Sequence, residues 1–111
     1  MSFKKENSSI ILIGKRKDEL GGSIFYDLHN ELGENVPNPD LFEVKNEIYG
    51  ITDCIEKDLV FACHDISEGG IATSLCEMTF GNSIGCSVKI ESKLSTEKIP
   101  VSYTHLTLPT T

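Results

Sequence analysis

The sequence predicts one α/β domain: short aliphatic runs read as buried strands, longer segments with apolar residues three and four apart read as helices, and glycine-rich turns join the two kinds. Taken along the chain, these signals give the order β-α-α-β-α-β.

Ser9 to Gly14 is an aliphatic run closed by glycine and then by Lys15, Arg16 and Lys17, the pattern of a buried strand that stops at the charged loop. Ile24, Phe25, Leu28 and Leu32 follow at helical spacing, with Gly22 or Ser23 placed to cap them. Pro37 and Pro39 bar a helix across residues 35–39 and make that stretch a connection. Asp40 then stands three residues before Glu43, as in a capping box, ahead of Leu41, Val44, Ile48, Ile51 and Ile55 at intervals of three and four. Leu59 to Cys63 reads as a second buried strand. Ile71, Leu75, Met78 and Thr79 read as a third helix that Gly81-Asn82-Ser83 ends, and the alternation from Cys86 to Glu91 reads as a half-exposed strand.

Ten basic residues against seventeen acidic ones leave a formal charge of −7, a field that repels nucleic-acid phosphates and anionic lipid surfaces. The apolar runs are too short to span a bilayer and no signal-peptide core follows Met1, so the expected address is the cytoplasm. Cys54, Cys63, Cys76 and Cys86 lie far apart in sequence, without metal-ligand spacing, and are expected to be reduced and to sit as small buried side chains.

The two turns that open helices carry the functional information. Gly21-Gly22-Ser23 and the loop His64-Asp65-Ile66-Ser67-Glu68-Gly69-Gly70 present backbone amides at the positive end of a helix, where phosphate groups are received. The same residues also fit a purely structural part, glycine supplying an unusual backbone angle and serine a cap. Asp65 and Glu68 oppose a bare phosphate and suggest either a bridging cation or, better, a purely structural part, and His64 at a strand end fits a hydrogen-bonded structural residue better than a catalyst. No nucleophile–histidine–acid set can be assembled, and neither a catalytic residue nor a metal ligand is assigned.

The string from Ala62 to Ala72, Ala-Cys-His-Asp-Ile-Ser-Glu-Gly-Gly-Ile-Ala, followed by Leu75, Glu77 and Met78, resembles the phosphoribosylformylglycinamidine synthase family. Asp18-Glu19-Leu20-Gly21-Gly22-Ser23 is similar to that family's upstream turn, Val36-Pro37 to its proline linker and Gly85 to Ile90 to its next strand, so the resemblance spans residues 3–91. It points to the second of the family's two synthetase-type C-terminal domains. The resemblance implies an ATP- and Mg²⁺-dependent ligase of purine biosynthesis, which activates the amide oxygen of formylglycinamide ribonucleotide as a phosphate ester. Ammonia released from glutamine by a fused or separate glutaminase then displaces the phosphate. The family's catalytic histidines and acidic metal ligands belong to upstream synthetase domains, so the chain alone is expected to be inactive and to bind no cofactor. Gly21, Gly22, Ser23, His64, Asp65, Ser67, Gly69 and Gly70 carry over only as phosphate-proximal or structural residues.

Both ends are expected to be artificial. Met1 resembles an internal methionine on the approach to the first strand, and residues 101–111 resemble a translated sequencing-library adapter, which leaves residues 1–100 as a partial C-terminal synthetase domain. Other readings are a fragment of a different enzyme of the aminoimidazole ribonucleotide synthetase and selenophosphate synthetase superfamily, or a stand-alone anion-binding module.

Overall fold

The structure, a computed structural model, describes residues 2–89. Three helices form in them: α1 (Ile24–Leu28), α2 (Leu41–Glu56) and α3 (Gly70–Thr79).

The cap and stripe read from the sequence account for α2. Asp40 is extended at φ −78° and ψ 108°, and its carboxylate accepts from the amides of Phe42 at 2.9 Å and Glu43 at 3.2 Å. The expected capping box is only half made. The carboxylate of Glu43 turns to the ammonium of Lys15, and this partner's hydrogen bond and charge raise the Lys15 pKa above its ordinary value. Asp40→Ala should therefore cost about 1 kcal/mol, the usual worth of an N-cap, read from the urea midpoint and the loss of helical circular dichroism. An unchanged midpoint would show that α2 is held by packing alone.

The apolar stripe of α2 is only partly covered. Ile51 is buried, whereas Leu41, Phe42, Ile48, Tyr49 and Ile55 are exposed, Leu41 at 77%.

α1 is shorter than its apolar spacing predicts, ending at Leu28 rather than Leu32. Asn30 takes a left-handed conformation at φ 56°, its amide bonding the carbonyl of Asp27 at 3.0 Å, while the Glu31 amide returns to Tyr26 at 2.9 Å. That is how asparagine stops a helix, and it leaves Leu32 outside, 81% exposed.

The strand expectations are corrected. Among the described residues the runs 9–14 and 59–63 hold no strand, only isolated bridge positions at Ile10 and Ala62, and residues 86–89 have no regular structure. A strand exists only as a ladder with a neighbour, so a run with suitable residues but without successive cross-strand hydrogen bonds remains extended chain. Ile90 and Glu91, and the expectations placed on residues 91–111, lie outside the described residues.

Phe3, Ala62, Ile66, Ile71 and Met78 form the buried cluster, with Ile10, Leu12, Leu75 and Ile84 packed against it. Main-chain bonds lace the N-terminal segment into it: the Phe3 amide donates to Met78 at 2.8 Å, and the Asn82 side-chain amide donates to the Phe3 carbonyl at 2.7 Å. The cysteines are free, but only two fit the expectation of burial even in part. Cys54 and Cys63 are half-buried, while Cys76 and Cys86 are exposed. Cys76 lies across α3 from Ile71, Ser74 and Met78, which take the buried face.

Candidate functional site: two glycine turns

Leu20-Gly21-Gly22-Ser23 is anchored by backbone contacts. The Gly21 amide donates to Asn35 at 2.7 Å and the Gly22 amide to Leu32 at 2.7 Å, while Leu20 beneath them is 1% exposed. A Cβ on Gly21 would stand 2.8 Å from the carbonyl carbon of Asn35, closer than side-chain carbons come to backbone, so this glycine allows a close approach of two chain segments. Ser23 occupies the N-cap of α1 as expected, yet its hydroxyl caps nothing; it is buried and has no hydrogen-bond partner among the described residues. The Ser23 amide donates to the Leu20 carbonyl at 3.0 Å, so all three amides that the sequence offered to a phosphate are engaged by the protein itself.

At the second turn the residues alternate as extended chain does. His64 and Ile66 turn inward, Asp65 outward with its side chain 75% exposed, and Ser67 and Glu68 are exposed. The Gly70 amide then donates to the Ser67 carbonyl at 3.1 Å, and Gly69 and Gly70 take left-handed angles of φ 88° and 69° to enter α3. Gly69 is the N-cap and supplies no side-chain cap, so the amides of Ile71 and Ala72 in the first turn of α3 have no capping side chain.

His64 binds within the protein. A carbonyl only accepts, so the 2.7 Å contact from Nδ1 to the Asp65 carbonyl places a hydrogen on Nδ1, and Nε2 faces the Glu77 carboxylate at 3.4 Å. Ser74, 3% exposed, has its hydroxyl 3.1 Å from the same Asp65 carbonyl and 3.2 Å from that of Gly70, one hydrogen shared between two acceptors. Neither Ser74 nor Glu77 was among the sequence-predicted site residues. The available signal was Ser74 itself, a polar residue in the middle of the Ile71–Leu75–Met78 stripe.

The structure holds the two turns with separate sets of hydrogen bonds. A groove of about 570 Å³ lies elsewhere, lined by residues such as Phe3, Ser9, Ile10, Ile84 and Lys89, and it contains none of the predicted residues. No three or more histidine, cysteine, aspartate or glutamate side chains come together as a metal site among the described residues. No described helix is long and apolar enough to cross a membrane.

In comparison with known families, residues 5–107 match the one described as AIR synthase related protein, C-terminal domain, which fits an α/β fold. The chain belongs to that family. Among individual proteins it is 40% identical over 91 residues to the phosphoribosylformylglycinamidine synthase subunit PurL of Thermococcus sibiricus, covering 82% of this chain and 13% of that protein. The PurL subunit of Pyrococcus abyssi is 34% identical over 109 residues, 95% of this chain and 16% of the relative. A protein of Saimiriine herpesvirus 2 named probable membrane antigen 75 is 32% identical over 91 residues, 82% of this chain and 7% of its own length. The chain thus spans about an eighth of the Thermococcus sibiricus PurL subunit.

Proposed function

We propose that this chain is part of a cytoplasmic, ATP- and Mg²⁺-dependent ligase that converts formylglycinamide ribonucleotide to formylglycinamidine ribonucleotide with glutamine-derived ammonia. The supporting observation is the 40% identity over 91 residues to a PurL subunit, since a 91-residue stretch of a 111-residue chain must include residues 21–91 and hence both glycine turns. In this reading magnesium and the reacting groups are held by synthetase domains elsewhere in the longer protein, a glutaminase domain or subunit supplies ammonia, and the runs at 9–14 and 59–63 pair with further segments to complete a sheet.

The part assigned to this chain is to offer amides to a phosphate. The first turn of α3, where the Gly70 amide alone is bonded to the loop, suits this better than Gly21-Gly22-Ser23, where all three amides are already bonded. Asp65 and Glu68 keep such binding weak in the isolated chain. Three measurements test the reading. Reading the source DNA upstream of Met1 should reveal in-frame synthetase domains; their absence would overturn the ligase. Titration of the chain with inorganic phosphate should shift the amides of residues 68–72 in NMR spectra, and shifts confined to α2 would remove the loop from the phosphate path. Purified alone, the chain should turn over no more ATP than a heat-denatured control.

A further inference from the structure

One backbone oxygen, the Asp65 carbonyl, is the point at which the second turn is fastened. It receives His64 Nδ1 at 2.7 Å and lies 3.1 Å from the Ser74 hydroxyl, while the far side of the imidazole reaches Glu77, one turn further along α3 than Ser74. The imidazole is mostly shielded, at 16% exposed, whereas the carboxylates facing it, Asp65 and Glu77, are 75% and 47% exposed. The residue after the node, Ile66, is buried and fills the core cluster, so the chain leaves that point with its orientation fixed. Asp65, Ser67 and Glu68 then face solvent beside the first turn of α3.

We propose that His64 is the positioning residue of the 65–70 loop, spanning from the Asp65 carbonyl to Glu77 and so setting how the first-turn amides of α3 are presented, with Ser74 as the second anchor on the same carbonyl. The histidine acts through the backbone and touches no ligand. Its role deepens the ligand-facing reading of the loop given above and rests on it. The two arms of the ring do different work. The Nδ1 arm holds the loop, because it shares its acceptor with Ser74; the Nε2 arm, longer at 3.4 Å and directed at a half-exposed carboxylate, steadies the ring when Nε2 also carries a hydrogen.

Two substitutions separate the arms. Asparagine places an amide where Nδ1 stands and glutamine places one where Nε2 stands. In amide hydrogen exchange of the 111-residue chain, His64→Gln should speed exchange at residues 70–74 by about tenfold, and His64→Asn by less than about threefold, with residues 48–52 of α2 unchanged in both. Ser74→Ala should open the same amides and Ser74→Thr, which keeps the hydroxyl, should not; this second pair decides the matter if a His64 variant does not fold. Equal exchange in the asparagine and glutamine variants, or acceleration that spreads evenly to α2, would overturn the positioning role. Phosphate titration of the same samples keeps the two readings apart. Loop amides that open in His64→Gln but never shift with phosphate would leave the positioning role and sink the ligand-facing one, whereas phosphate shifts in wild type that persist unaltered in His64→Gln would do the reverse.

Discussion

Gly69→Val should destabilise the chain by on the order of 3 kcal/mol, combining left-handed backbone strain with a lost side-chain hydrogen bond. At φ 88° an L residue is strained whatever the space around it, and a β-branched one most of all. Space is also lacking. A Cβ there would stand 2.4 Å from the Thr73 hydroxyl oxygen, and turning Thr73 away breaks its 3.0 Å bond to the Gly69 carbonyl, one of the contacts that starts α3. Gly50 provides the contrast, since a Cβ there meets nothing within 4 Å and its backbone is helical. Gly50→Ala should stabilise by about 0.8 kcal/mol through helix propensity alone. Chemical denaturation of the two variants beside wild type reads both signs at once; a Gly69→Val midpoint equal to wild type would refute the backbone requirement at the turn.

Met78→Ala should cost about 3 kcal/mol, within the range for truncating a buried methionine. The side chain is 0% exposed among Phe3, Ala62, Ile66 and Ile71, which come from three separate stretches of sequence, so no single neighbour can relax to fill the space. The main chain at Met78 also receives the Phe3 amide, and the cavity would therefore loosen the N-terminal segment that crosses the core. Phe80→Ser, at a side chain 78% exposed, should stay within about 0.5 kcal/mol of wild type. Similar midpoint shifts for the two variants would place the core elsewhere.

What was legible in the sequence was local. The cap of α2 and its stripe, the start of α3 at the second glycine turn and the proline connection all depend on residues within a few positions of one another. What failed depended on partners far along the chain. Glu43 leaves the capping box for Lys15, 28 residues earlier, a competition no local motif records. The aliphatic runs at 9–14 and 59–63 have strand composition, but a strand is a property of two segments, and one bridge position in each is all that forms among the described residues. The end of α1 was a local signal overlooked, because periodicity continued to Leu32 while Asn30 had already turned the chain. The site was half legible in the same way. The loop from His64 to Gly70 declared itself by composition, whereas its fastening by Ser74 and Glu77 required knowing which face of α3 meets the loop.

The open side of α2 also bears on the chain's colloidal behaviour. Leu41, Phe42, Ile48, Tyr49 and Ile55 offer water a broad oily band, and a chain with such a band stays dispersed only while something keeps copies apart. That agent is the charge of −7, a repulsion that reaches about 10 Å at 0.1 M salt and only about 3 Å at 1 M. Added salt shortens this repulsion without weakening the attraction between the bands, and acid near the isoelectric point of about 4.8 removes it altogether. Solubility of the isolated chain should thus fall with added salt and as the pH approaches the isoelectric point.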